Sequence, residues 1–445
     1  MTNYRDPELL AKIRQQFDRC PYPRVPLEQS YEQDLDFLYL HNFITPYYRR
    51  NHCVTTTDNR LILDAGCGSG YNTLGLAQAN PGATIIGIDL SETSIELAKE
   101  RLKYHGFENV EFHALKIEEI SRLNCEFDYI DCDEVLYLTP DPAIALQAMK
   151  CVLKPEGILR VNLHSRHGRA PILRMQEVFR QLGLMDGEIG EFEIETVREV
   201  MDALKETTMS RQITWVNSPV AVGRDEASIS ANFLLVGDRG FSVGEMFAYL
   251  RQAELEFISM VEWWKWDFLS LFQEPDNLPV VLGLSLPEVS IEKCLTLYEL
   301  INPVNRLIDL WCGHPQQGLK YLPPSAWGER EWRKARIHLH PQLNNPYFPI
   351  AVQECLKRRQ TLNIEQFLPQ VGGASTLDYQ IVAGLLFPLL ESPQPFAALI
   401  ERWMQLNPLD PLTLQPESRE RIIPAIARTL IELEERRYLL LESGR

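Results

Sequence analysis

The chain of 445 residues has no C-x-x-C pair among its nine cysteines, which stand scattered at 20, 53, 67, 125, 132, 151, 294, 312 and 355. That pattern excludes a disulfide framework and a ligand-spaced zinc site, and points to free thiols in a reducing compartment. Long apolar runs are lacking too. The longest, Ile381 to Leu390, is broken by Pro388 and is far short of the ~20 residues that cross a bilayer. The stretch from Met1 to Arg14 is polar, so no export signal is expected and a cytoplasmic location is read instead. Positive charge is in deficit, 44 Lys and Arg against 61 Asp and Glu, for a net charge of -17. That balance argues against nucleic acid or an anionic membrane as partner. What the sequence does have is bulk: its length and 45% hydrophobic content suffice for two or three domains with cores.

One stretch organises the rest. Leu61-Ile62-Leu63 is an apolar run ending at Asp64, and Gly66, Gly68 and Gly70 follow at alternate positions. The run reads as a buried parallel strand, and the glycines as a turn that a ligand approaches closely. Tyr71 to Ala79 reads as a helix whose N-terminal N–H groups face the same ligand. A dinucleotide fingerprint from Gly66 needs glycine at 71, where Tyr71 stands. A second apolar run, Ala83 to Ile88, ends at Asp89, nineteen residues past Gly70. An acid at that strand tip can accept both hydroxyls of a ribose. Ser91 then caps a helix that stops at Gly106. Cys67, inside the turn, reads as a small filler rather than a nucleophile.

Asp64-x-Gly66-x-Gly68-x-Gly70 resembles motif I of the class I S-adenosylmethionine methyltransferases. The resemblance continues through Phe127-Asp128-Tyr129-Ile130, with its polar pair and Val135-Leu136-Tyr137-Leu138, and through Leu153-Lys154-Pro155-Glu156-Gly157 before a strand at 158–163. It implies S-adenosylmethionine as cofactor, with Asp64, Gly66, Gly68 and Gly70 at its amino-acid end. The adenine acid common after the third strand is missing. Leu115-Lys116-Ile117 stands there, so backbone contacts at Lys116 or Ile117 and an apolar cover from Leu90 are expected instead.

The fourth strand ends in Asp131, Asp133 and Glu134, with Tyr137 beyond. In an open α/β sheet the ligand lies outside the carboxyl ends of the strands, so Asp133, Glu134 and Tyr137 are the candidate catalytic residues. Clustered carboxylates raise one another's pKa, which suits a general base. Alternatively Asp133 contacts the cofactor and its neighbours are solvated. His164, at the end of the fifth strand, is a reserve candidate for proton removal. No metal is expected: His338 and His340 share a strand face without ligand-spaced partners.

The expected fold class is α/β, a Rossmann-like doubly wound methyltransferase sheet with an inserted helical cap and a mainly helical C-terminal domain. The boundaries read are an N-terminal helical lid segment at 1–55, a cofactor core at 56–163, a helical insertion at 164–240, the end of the core sheet at 241–276, and a C-terminal region at 277–445 that resembles the small helical or winged-helix module of bacterial lysine-modifying methyltransferases. Helices are read at 6–20 and 33–50. Cys20-Pro21-Tyr22-Pro23-Arg24, between them, resembles a lid motif of bacterial methyltransferases and reads equally as a connecting loop. Trp263, Trp264 and Trp266 read as core or as an acceptor cage. The expected activity is methyl transfer to a protein side chain, asparagine or lysine. The alternatives are a small-molecule acceptor (a lipid, quinone or secondary metabolite) and a non-catalytic cofactor-binding regulator.

Overall fold

The computed structural model describes residues 7–19, 21–217, 225–368, 376–410 and 413–444. Cys20 and residues 218–224, within the region read as a helical insertion, lie outside them. The chain divides into two units, one of residues 1–30, 58–77 and 82–317, the other of residues 31–57, 78–81 and 318–445.

A seven-stranded sheet is the frame of the first unit. Its strands are β1 (Leu61–Ala65), β2 (Thr84–Asp89), β3 (Val110–Ala114), β4 (Phe127–Cys132), β5 (Leu153–His164), β6 (Glu256–Met260) and β7 (Leu307–Gly313), in the order β3-β2-β1-β4-β5-β7-β6. The neighbours from β3 to β5 are parallel, and β7 runs antiparallel between β5 and β6. The reversal of strand order beside β1 puts a crevice at the carboxyl ends of β1 and β4. Ile62, Leu63, Ile130, Leu159 and Val161 have no exposed surface, as strands covered on both faces require.

Local signals set the helix boundaries. Ser91 Oγ accepts from the Ser94 amide at 3.1 Å and starts Glu92–Tyr104. Asp141 accepts from the Ala143 amide at 3.0 Å and starts Pro142–Cys151, with proline at the first position. Beyond β5, the helices Ala170–Gln181, Glu191–Ala203 and Glu226–Asn232 share a core around Phe179, Val197, Met201 and Trp215.

The sheet differs from expectation at its far edge. It does not close by 276: β7 comes from the region read as a separate C-terminal domain. Leu307-Ile308-Asp309-Leu310-Trp311 is a strand-type run, and burying it between β5 and β6 satisfies both its edges. The N-terminal segment read at 1–55 is also divided, residues 1–30 belonging to the first unit and 31–57 to the second.

In the second unit the expected helix at 33–50 is two, Leu35–Leu40 and Ile44–Asn51. The break falls at Asn42, whose Oδ1 accepts from the Thr45 amide at 2.7 Å and starts the second helix. A three-stranded antiparallel sheet joins β8 (Ala335–Leu339) to Gln394–Pro395 on one side and Leu439–Ser443 on the other. The last helix therefore ends at Glu435, and the apolar residues after it form a strand. The buried Tyr48 hydroxyl donates to Leu441 O and accepts from Leu441 N, both at 2.9 Å. His340 is buried with a ring nitrogen 3.1 Å from Thr45 Oγ1.

Gly70 is where the glycine turn has least slack. Its φ is +77°, and a Cβ there would lie 2.6 Å from Ala98 Cα. Gly70→Ala is expected to lower the stability of the first unit by about 1–3 kcal/mol, combining backbone strain with overpacking. Denaturant unfolding of the variant checks this.

Candidate functional site

The turn after β1 takes its shape from the glycines and from a carboxylate. Gly66, Gly68 and Gly70 have φ of +104°, +48° and +77°. A Cβ at Gly66 would overlap Val135, and one at Gly68 would overlap the Tyr22 carbonyl. Asp89, at the tip of β2, accepts from Gly68 N on Oδ2 at 3.0 Å and from Ser91 N on Oδ1 at 2.9 Å. Each oxygen keeps a second lone pair for a ribose hydroxyl. Burial lifts the Asp89 carboxyl above its usual range against those backbone hydrogen bonds. Asp64 is buried below the turn and accepts from Thr73 Oγ1 at 2.6 Å. Burial, with Asp133 and Asp89 adding repulsion, pushes its carboxyl up to about 7.

The residues expected around an adenine lie at neighbouring strand tips. Asp89 pairs with Ala114 in the β2–β3 register, so Leu90 and Leu115-Lys116 continue side by side. Leu90 is half-buried, Ile117 buried, and Lys116 exposed at the start of the turn Ile117–Leu123. The Lys116 side chain lies in solvent. A cradle that side chains would fill, an acid with spare lone pairs and an apolar flank fit the cofactor implied by motif I.

Over the turn lies the Pro21-Tyr22-Pro23-Arg24 segment. Ser69 N donates to Tyr22 O at 3.1 Å, and Ser69 Oγ to Pro23 O at 2.7 Å. Arg101, 1% exposed, donates to Ser69 O, Pro26 O and Val25 O at 3.1, 2.8 and 2.9 Å. The segment is thus pinned onto the glycine turn rather than merely connecting two helices.

The strand-four mouth differs from the expected cluster of mutually repelling acids. The Arg160 guanidinium, 3% exposed, lies 3.4 Å from Asp131, 3.4 Å from Asp133 and 2.8 Å from Asp309. Asp133 also accepts from Asn162 Nδ2 at 2.5 Å and Asn72 Nδ2 at 3.3 Å. It is therefore a fixed acceptor rather than a mobile base. Glu134 sits on left-handed backbone at φ 59° and turns away from Asp133. Its Oε2 meets His164 Nε2 at 3.1 Å and the Tyr137 hydroxyl at 3.2 Å, and its Oε1 meets Arg306. Burial would lift the Glu134 carboxyl, but Arg306 and His164 outweigh it and hold it well below the carboxylate range. At neutral pH it accepts hydrogen bonds and does not take up a proton.

His164 lies between two carboxylates, Asp238 and Glu134. It is 1% exposed, and its ring stacks on Tyr137 with centroids 3.7 Å apart. Its Nδ1 lies 2.7 Å from Asp238 Oδ1, and Asp238 is itself held by Arg169 at 3.2 Å and Gln176 at 2.9 Å. A carboxylate on Nδ1 fixes the tautomer and aims Nε2 at the mouth. Asp238 and Arg306 were not foreseen, being 74 and 142 residues from His164 with no motif around them. Of the tryptophans, Trp266 is buried against Tyr298 at 5.5 Å, and Trp263 meets Trp264 edge to face at 4.8 Å. Among the described residues no group of three metal-ligating side chains gathers, and no helix is long and apolar enough to cross a membrane.

Residues 56–213 match a family described as a methyltransferase domain. The chain is 30% identical over 184 residues to a ubiquinone biosynthesis O-methyltransferase of Thiobacillus denitrificans, covering 40% of this chain and 78% of that one. It is 34% identical to the enzyme of the same name from Actinobacillus pleuropneumoniae, over 25% of this chain and 49% of that one. An uncharacterised Synechococcus protein is 40% identical over 28% of this chain and 30% of its own length. In these last two the match spans half of the relative or less. Among solved structures, PKMT2 from Rickettsia typhi in complex with AdoHcy superposes with a TM-score of 0.59 at 16% identity, over 96% of this chain and 78% of that one. That likeness gives the fold.

Two measurements test the cofactor half. Asp89→Ala should weaken S-adenosylhomocysteine binding in calorimetry by tenfold or more, since a hydrogen bond to a charged group contributes roughly 1.5–3 kcal/mol. Asp64 binds a proton in the folded state up to pH about 7 but in the unfolded chain only to ~4. Its contribution to stability is full below the lower value and lost as pH rises through the higher. The melting temperature of Asp64→Asn should therefore fall less between pH 5 and 8 than that of the unaltered chain.

Proposed function

The chain belongs to the class I S-adenosylmethionine-dependent methyltransferases, and from that premise we propose that it methylates the hydroxyl of a small molecule, with His164 receiving the hydroxyl proton. The observation that carries this reading is the Asp238–His164 pair at the end of β5, aimed at the mouth beside Glu134 and Tyr137. A hydroxyl is a poor nucleophile until its proton leaves, so such an acceptor needs a positioned base. The relatives named as O-methyltransferases support the same acceptor chemistry.

S-adenosylmethionine, when bound, supplies an electrophilic methyl group on a sulfonium. The chain's own part is to bind, orient and take the proton. Gly66, Gly68 and Gly70 admit the ligand against the backbone, and Asp89 receives the ribose hydroxyls. Asp64 and Asp133 lie at the amino-acid end as hydrogen-bonding groups. Leu90 and Ile117 flank the adenine, and the Lys116 backbone bounds it. Tyr137 stacks on the imidazole and Asp238 keeps Nδ1 protonated; Nε2, which donates to the Glu134 carboxylate in this structure, sheds that proton to solvent once the carboxylate leaves and then takes one from the acceptor hydroxyl. The segment at Tyr22 helps to keep water from the reacting centre.

A second reading, a protein acceptor, draws on the second unit. The 184 residues matched to the Thiobacillus enzyme make up 78% of that protein, whereas they are 40% of this chain.

Radiolabelled methyl donor incubated with cell extract and the purified chain separates the readings. Label in solvent-extractable material supports the first, and label migrating with protein supports the second. With a hydroxyl acceptor in hand, His164→Asn should cut kcat by a factor of about 10² to 10⁴ while S-adenosylhomocysteine affinity stays within twofold. Unchanged kcat would remove His164 as the base.

A further inference from the structure

The two oxygens of Glu134 already satisfy the groups an acceptor must meet. Oε2 lies 3.1 Å from His164 Nε2 and 3.2 Å from the Tyr137 hydroxyl, and Oε1 is on Arg306. As long as that carboxylate stays, Nε2 donates to it and cannot take up a proton. Its backbone is in the left-handed region at φ 59°, which non-glycine residues adopt at a cost and which gathers at ligand clamps and switch regions. Its amide is anchored on Asn162 Oδ1 at 2.9 Å, so the side chain can swing while the backbone stays.

Beside Arg306 there is room for what would replace it. A cavity of about 270 Å³ is lined by Glu262, Lys265, Trp266, Val304, Leu307 and Asp309, together with Asn305 and Arg306 itself. It lies at the carboxyl edge of the sheet, because Leu307, at the start of β7, pairs with His164 at the end of β5. The acids in its wall already have cations, Glu262 with Lys265 at 2.6 Å and Asp309 with Arg160 at 2.8 Å. Arg306 is thus the donor shared between the cavity and the Glu134 position. The volume suits a single ring with small substituents, below the usual range of ~300–1,000 Å³ for larger ligands.

We propose that Glu134 is a built-in stand-in for the acceptor: a single-ring ligand presenting two adjacent oxygens displaces its carboxylate from Arg306 and His164 and lays its ring in the cavity beside Arg306. The proposal rests on the small-hydroxyl reading above. One oxygen of the pair lies on Nε2 and the other on the guanidinium. A ligand with a lone hydroxyl fills one position and leaves Nε2 or the guanidinium without its partner, which such sites penalise strongly.

Calorimetry on the full chain saturated with S-adenosylhomocysteine tests this, with catechol, benzoate and phenol as probes. Catechol, benzoate or both should bind at least tenfold tighter than phenol. Glu134→Ala should tighten that binding threefold or more by removing the internal competitor, and Arg306→Gln should weaken it tenfold or more. Glu134→Gln, which keeps the shape and drops the charge, should shift affinity in the same direction and serves if the alanine variant does not fold. The catechol and benzoate arms distinguish a vicinal diol from a carboxylate. Absence of binding by both, or Glu134 variants that bind no tighter than the unaltered chain, overturns the proposal. If the probes bind and tighten as expected while no small hydroxyl takes up label, the stand-in survives and the assignment of the acceptor falls.

Discussion

A single guanidinium buried in the sheet sets the geometry on which the mouth of the site depends. Arg160 is 3% exposed and contacts carboxylates of β4, of the segment after β4, and of β7. An ion taken out of water costs several kcal/mol, recovered only when neighbours pair with it and saturate its donors. Here Asp131, Asp133 and Asp309 do so, and in doing so tie three strands to one another in a fixed order. The balance is not lavish. Burial still lifts Asp309 to about 6 against the pull of Arg160. Removing Arg160 would leave Asp131, Asp133 and Asp309 facing one another beneath the site with no cation between them.

The acceptor side follows from the direction of β7. Because it runs antiparallel, it begins at the edge where β5 ends, and Leu307 lies opposite His164. The residue before it, Arg306, is thereby delivered to the mouth from a place 142 residues later in the chain. The left-handed turn at Glu134 completes the meeting by pointing that side chain at His164 and Arg306 while Asp133 stays with Arg160. Two adjacent acids thus have opposite fates, one locked into the sheet and one at the open rim.

The cofactor half was legible because its parts are local. Strand, glycine turn, helix, second strand and terminal acid follow within thirty residues of Leu61, and the caps at Ser91 and Asp141 announce themselves by residue type. In the other half, Glu134, Tyr137 and His164 stood out at strand ends and Tyr22 in its Pro-Tyr-Pro-Arg segment, but Asp238 and Arg306 did not, since they reach His164 and Glu134 only through the topology. A signal was present but easily passed over. Arg160 interrupts Ile158-Leu159 and Val161, and Asp309 interrupts Ile308 and Leu310. A charge inside a run that must be buried demands a partner of opposite sign in an equally apolar run. Pairing those two interruptions would have placed β7 beside β5 and moved the end of the sheet past 276.

The acids at the tips of β2 and β4 are held in different ways. Asp89 has each oxygen fixed by a backbone amide, so its spare lone pairs point in set directions before any ligand arrives. Arg101 spends its donors on backbone carbonyls of the overlying segment and of Ser69, which no side-chain rotation can release. Glu134, by contrast, is held through side-chain contacts alone on its carboxylate, and its Arg306 partner has a side chain 46% exposed. Water can compete for that guanidinium at little cost, so the pair is weaker than its short separation suggests. The two acids are thus held by different physics: backbone amides fix Asp89 from both oxygens, whereas an ion pair open to water holds Glu134.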